Sequence, residues 1–214
     1  SATEILSILT TANSYNVGTP DAAAPTVSTK QIGVATHATV AAESISGYTL
    51  AGWTLTNCER IDGGAENATT ITVKSTGTDA AATVTANYEI NKYYVVGSFN
   101  GWTTKDVNYE MTYDNGVYKK EVTFAKDVEF KICNGSWDAS WSYDNLQGIE
   151  YKELVKSDDT NKNIQLTKDA TFTIVFDLSK HLITFEGLNE KYTYVLRGVN
   201  KDWTTGIVME RNPN

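Results

Sequence analysis

The stretch TFTIVFDLSKHLITFEG, residues 171–187, reads as two strands joined by a polar turn. Phe172, Ile174 and Phe176 alternate into the segment Asp177–Lys180, and the chain returns through Leu182, Ile183 and Phe185. Side chains on a strand point to opposite faces with a period of two, so this spacing puts the apolar set on one side of an antiparallel hairpin. The same period recurs upstream. GVYKKEVTF, residues 116–124, sets Tyr118, Val122 and Phe124 against Lys119, Glu121 and Thr123. In DVEFKICNG, residues 127–135, Val128, Phe130 and Ile132 alternate with Glu129, Lys131 and Cys133, so Lys131 points away from the core. Together with YYVVGSF at 93–99, these segments predict a small antiparallel sandwich over residues 91–187.

Working outward, the rest of the chain has the same character. Thr, Val, Ile, Tyr and Trp are frequent, and apolar stripes at helical spacing are nearly absent, so the expected class is all-β, built as tandem small antiparallel Ig-like sandwich modules. A chain of 214 residues is long enough for two modest cores. Residues 1–28 carry an apolar cluster at Ile5, Leu6, Ile8 and Leu9, read as a helical turn, and then a Gly, Pro and Ala-rich stretch; together they read as an N-terminal tether. Residues 29–90 hold short strand-like segments, among them GYTLAGWTLT at 47–56 and AATVTANYE at 81–89. Residues 188–214 contain KYTYVLRGVNKDWTT, an echo of KYYVVGSFNGWTT at 92–104, which predicts the first strands of a second, truncated copy of the 91–187 module.

Composition narrows the function. Hydrophobic residues are 41% and charged residues 21%, and no apolar stretch approaches the ~20 residues of a membrane-spanning helix. A net charge of -8 without any basic run disfavours nucleic acid as a partner. Cys58 and Cys133 fall in different modules, so neither a disulfide framework nor a Cys-rich metal site is expected, and both read as buried apolar side chains. No metal and no cofactor is called for. His37 and His181 also stand in separate modules, no G-x-S-x-G elbow is present, and no pair of carboxylates has the context of a glycosidase site, so the expectation is a binding protein and not an enzyme.

The aromatic content points to what is bound. CNGSWDASWSYDN, residues 133–145, places Trp137, Trp141 and Tyr143 within seven residues of a polar, Gly-containing stretch. A sugar ring has an apolar face of axial hydrogens edged by hydroxyls, so a planar indole supplies matching area while nearby amides and carboxylates bond the rim. Asn134, Asp138, Asp144 and Asn145 are close enough in sequence to offer such groups.

VGSFNGW at 96–102, DNGVYKKEVTF at 114–124, EFKICNGSW at 129–137 and NIQLTKDATFTIVFD at 163–177 resemble, in order and spacing, the starch-binding modules attached to pullulanases. They are also similar to the glycogen-binding domain of AMP-activated kinase β-subunits. The resemblance implies that Trp102, Lys131 and Trp137 contact α-glucan. It also matches Trp141 to an aromatic of the pullulanase-type pattern and Tyr143-Asp144-Asn145 to a Gly-Asp-Asn-like stretch, in which Tyr143 either adds a platform or obstructs the groove. Residues 29–90 resemble the divergent internalin-type repeats of bacterial surface proteins, which implies an extracellular or bacterial cell-surface setting and leaves Trp53 as core.

Each aromatic keeps a structural alternative, with Trp102 closing the sandwich edge and Trp141 and Tyr143 stacking on each other. The carbohydrate-binding set is therefore Trp102, Lys131, Asn134, Trp137, Trp141, Tyr143, Asp144 and Asn145. The expected partners are starch, glycogen or malto-oligosaccharides, with amylolytic enzymes or a cell-surface assembly reached through other regions. The contrasting reading is an adhesive surface protein whose aromatics form a protein interface.

Overall fold

The computed structural model describes residues 3–147, 155–157 and 160–188, and the backbone of two further strands at 194–196 and 207–209. The chain divides into two compact units, Ser1–Asn91 and Lys92–Asn214. Both are all-β. Among the described residues, no helix is long and apolar enough to cross a membrane.

The first unit comprises β1 (Ser7–Tyr15), β2 (Thr26–Val27), β3 (Gln31–Ile32), β4 (Ala38–Ala41), β5 (Tyr48–Thr56), β6 (Cys58–Arg60), β7 (Thr70–Ser75) and β8 (Ala82–Ile90). They form two four-stranded sheets, β3-β1-β8-β5 and β2-β4-β7-β6. Buried Leu9, Ile32, Val40, Ile71, Val73 and Val84 share a core drawn from both sheets.

The expected tether is corrected here. The segment around Ile5 to Leu9 is no helical turn: Ser7 and Leu9 are buried and alternate with exposed Ile8, which is strand period. β1 runs parallel to β8 in continuous register from Leu9↔Ala82 to Tyr15↔Tyr88. A strand so close to the start of the sequence can pair with the last strand of its unit because the loops between them bring both to the same sheet. The Pro/Ala-rich segment that follows is held too, since Thr11 Oγ1 donates to the Pro25 carbonyl and Asn13 Nδ2 to the Ala23 carbonyl.

The second unit contains β9 (Tyr94–Gly97), β10 (Thr112–Asp114), β11 (Val117–Phe124), β12 (Glu129–Cys133), β13 (Ser140–Trp141), β14 (Val155–Ser157), β15 (Ile164–Leu166), β16 (Ala170–Asp177) and β17 (Leu182–Glu186). One sheet is β10-β11-β16-β17; the other has β12 flanked by β9 on one side and by β13 and β15 on the other. The hairpin expected at 171–187 is β16 and β17, paired from Thr173↔Glu186 to Asp177↔Leu182. Phe130, Ile132, Ile174, Phe176 and Ile183 are fully buried between the sheets.

The backbone of β18 (Tyr194–Leu196) pairs antiparallel with that of β19 (Ile207–Met209). The rest of the expected truncated copy, Trp203 included, lies outside the described residues.

Candidate functional site

In an ordinary two-layer sandwich each strand has one wet face. β9 departs from this, because all four of its residues are buried. Val95 lies opposite Ile132 and faces the core, whereas Tyr94 and Val96 lie opposite Cys133 and Lys131 on the outer face. The loop that follows β9 folds back over that outer face. Trp102 packs against the cluster of Tyr94, Val96 and Cys133, and the Cys133 thiol points at the Thr104 carbonyl, 3.5 Å away. Burial accordingly pushes the Cys133 thiol and the Tyr94 phenol above their ordinary pKa values, the latter reinforced by neighbouring Glu110.

The sequence GSFNGW encodes this fold-back. A side chain at position 97 would collide with the Glu129 carbonyl, Phe99 and Phe130, so only glycine lets β9 and β12 approach there. Asn100 Oδ1 accepts from the Gly97 N–H at 3.1 Å, and the Trp102 N–H donates to the Gly97 carbonyl at 2.9 Å, closing the turn. Gly101 and Trp102 are both left-handed, each at φ 62°. For tryptophan that conformation costs on the order of 1–3 kcal/mol and persists only where the surroundings enforce it.

Trp137 stands at the tip of the hairpin between β12 and β13. It is 55% exposed, the most exposed tryptophan among the described residues, and its ring centroid lies 6.3 Å from that of Trp102 with the planes inclined at 48°. The tip is braced from below. Ser136 Oγ lies 2.9 Å from both Asn134 Oδ1 and Asp138 Oδ2, and the Ser136 and Asp138 N–H groups donate to Asn134 Oδ1 and Ser136 Oγ. Asn134 and Asp138 thus both engage Ser136, the residue that precedes the exposed indole.

Lys131 projects from β12 on this same outer face beside Val96 and is half-buried. Among the described residues no hydrogen bond or ion pair holds its ammonium. Its strand neighbour Glu129 is engaged, accepting from Asn163 Nδ2 at 3.0 Å.

The other expected residues are not brought to the tryptophan pair. Trp141 lies opposite Ile132 in the β12–β13 register and therefore faces inward. Its ring rests on Phe176 at 4.7 Å and Tyr93 at 5.6 Å, with His181 at 5.9 Å, so it closes one edge of the core where a second sugar platform was expected. The four-residue spacing from Trp137 misleads because position 137 is at a turn, where strand alternation does not carry through. Tyr143 begins a short 3-10 turn, half-buried, its N–H donating to the Lys162 carbonyl. Both ends of the Asn145 amide are in use, Oδ1 accepting from the Ser142 N–H and Nδ2 donating to the His181 carbonyl at 2.9 Å. Asp144 is exposed on the same turn.

One neighbour was not legible in the sequence. A Cβ built on Gly135 would lie 3.2 Å from both Lys105 Cε and Tyr94 Cε2, which places the Lys105 stem beside the Trp137 hairpin.

The patch is thus an angled pair of indoles, one strained and anchored, one exposed, with cationic side chains alongside. Hydrogen bonds hold the carboxylates of Glu4, Asp62 and Asp177 below their ordinary pKa values. Among the described residues no group of three or more His, Cys, Asp or Glu is arranged to hold a metal.

No family model matches the chain, and no curated protein matches it. A solved structure, the crystal structure of SusF from Bacteroides thetaiotaomicron, aligns with 74% of this chain and 37% of its own length, at 14% identity and a TM-score of 0.36. The chain therefore spans little more than a third of that neighbour.

Proposed function

We propose that the second unit binds α-glucan chains, such as starch, glycogen or malto-oligosaccharides, without catalysis, by stacking glucose faces on Trp102 and Trp137 while Lys131 donates to a sugar hydroxyl. The supporting observation is the Trp102–Trp137 pair: two rings 6.3 Å apart and inclined at 48°. A flat ligand would prefer coplanar rings, whereas a chain that curves from one sugar to the next presents successive faces at an angle. A hydrophobic interior side chain would not stay 55% exposed at a hairpin tip braced by three polar residues, as Trp137 does. The left-handed Trp102 backbone adds to this, because strain of that kind concentrates where a side chain must be aimed.

Base stacking on an aromatic is worth ~1–3 kcal/mol, and a sugar face should not exceed that. Two platforms plus hydrogen bonds amount to roughly -6 kcal/mol, a Kd of roughly tens of micromolar. The ligand is neutral, so affinity should barely respond to salt.

Calorimetry with maltoheptaose, alongside pull-down on insoluble starch, tests the reading. Saturable micromolar binding of maltoheptaose, with no binding of a straight β-linked oligosaccharide, is expected. Absence of both starch retention and maltoheptaose heat, with retention of a protein partner instead, would replace it with the adhesive reading. An extracellular, cell-surface setting belongs to the same proposal, resting on the sequence resemblances alone.

A further inference from the structure

The register of β9 and β12 orders the patch along the strand direction. Val96 and Lys131 form one cross-strand pair, and Tyr94 and Cys133 form the pair two residues further along, roughly 7 Å away at the rise of a β-strand. Trp102 packs against the cluster that Tyr94, Val96 and Cys133 form on this face. Lys131 therefore stands at the Val96 end of that outer face.

Lys105 occupies the other end. Its Cγ and Cε lie 3.4 and 3.2 Å from the Cβ position of Gly135, and Tyr94 Cε2 lies 3.2 Å from that same point. The aliphatic stem and the edge of the Tyr94 ring thus both lie beside Gly135, in the backbone that leads into Trp137. Gly135, at φ 86° and without a side chain, leaves the space that admits it. Long cationic side chains commonly lay their stems on apolar surface and leave the ammonium in water. Lys105 is exposed, and among the described residues neither a hydrogen bond nor an ion pair engages its ammonium. The nearest carboxylate in sequence is already committed, since Asp106 accepts from the Asn108 N–H and its two oxygens lie within reach of Asn108 Nδ2 and Asn100 Nδ2.

We infer that Lys105 is a second ligand-contacting donor of the α-glucan site, at the opposite end of the β9–β12 outer face from Lys131, so that the two ammoniums fix hydroxyls on different glucose units. This inference rests on the proposed reading of the site. It assigns the patch a ligand of at least two consecutive units, and it makes Lys105 matter for chain length. A single glucose reaches one ammonium only, whereas a longer chain engages both.

The test is calorimetry on the full chain with maltose and maltoheptaose, comparing wild type with K105M and K105A. K105M keeps an apolar stem beside Gly135 and removes only the ammonium, and K105A removes both. With a charged donor lost, K105M should bind maltoheptaose and maltose roughly fivefold to tenfold more weakly, with an unchanged melting temperature. K105R, which restores a cation on a long stem, should recover most of the affinity. If wild type binds maltoheptaose and K105M binds it equally well, Lys105 is a structural prop and the inference is overturned while the site stands. If wild type binds no maltoheptaose, the underlying reading falls, and the Lys105 assignment with it.

Discussion

Trp53 in the first unit and Trp137 in the second each follow a small residue in a β-rich module, Gly52 and Ser136, yet they meet opposite fates. Trp53 sits within β5, opposite Ala86, half-buried against two apolar clusters, with its indole N–H donated to the Ala68 carbonyl at 2.9 Å. Trp137 sits at a hairpin tip with most of its ring in solvent and another tryptophan as neighbour. The difference is one of backbone position. A residue within a paired strand has its direction fixed by the pleat, and if that direction is inward the ring becomes core; a residue at a turn is released from the pleat and can be aimed elsewhere. Identity alone does not separate a structural tryptophan from a binding one.

That contrast can be broken by substitution, and the largest effect should come from the first unit. Trp53→Ala removes a ring packed on both clusters and orphans the Ala68 carbonyl, so it should lower the stability of its unit by about 3 kcal/mol in thermal or denaturant unfolding. Glucan affinity should be unaffected, because the site lies wholly within the other unit. A change under about 0.5 kcal/mol would remove Trp53 from the core.

Trp141→Ala sharpens the comparison inside the second unit. Its contacts with Phe176 and Tyr93 predict a loss of about 2 kcal/mol in stability, with maltoheptaose affinity held within about twofold in the folded protein. Weaker binding at unchanged stability would return Trp141 to the platform. Trp137→Ala should show the reverse pattern. Affinity should fall at least about tenfold, about 1.4 kcal/mol, with stability altered by no more than about 0.5 kcal/mol, as for other exposed positions. A large drop in melting temperature would place that ring in the core.

The smallest effects concern acid. The Asp62 carboxylate is held well below its ordinary value by the Arg60 guanidinium and by the N–H groups of Thr72 and Gly64. Asp177 is lowered to about 2, chiefly by the Ser179 hydroxyl and then by Lys180. In both cases the folded pKa lies below the unfolded one. The stabilisation is therefore fully present above the ordinary carboxylate value of 3.8 and is lost as pH falls through the folded value. Unfolding midpoints followed between pH 5 and pH 2 should decline, and Asp177→Asn should flatten the second unit's decline without touching glucan binding at neutral pH. An unchanged slope would mean that the turn contributes nothing through that charge.

Much of the second unit was legible because its strands alternate cleanly. Phe172, Ile174 and Phe176, and likewise Phe130 and Ile132, announce which face is buried. Lys131 follows from that pattern, and Trp137 from its polar, glycine-containing setting. Three features were not readable, each for a physical reason. β1 pairs in parallel with a strand some seventy residues later, and the apolar cluster at residues 5–9 does not by itself distinguish one turn of helix from the start of a strand. Trp141 is turned inward by a register set across the hairpin, not by its distance in sequence from Trp137. Lys105 lies against Gly135 beside the Trp137 hairpin, a relation between residues thirty positions apart.

The most direct test of the account is a crystal structure of the full chain with maltoheptaose bound. Electron density for consecutive glucose units lying on the exposed faces of Trp102 and Trp137, with Lys131 within hydrogen-bond distance of a sugar hydroxyl, is the predicted result. Glucan seated elsewhere on the surface, or the two indoles closed against the protein with no sugar upon them, would contradict it.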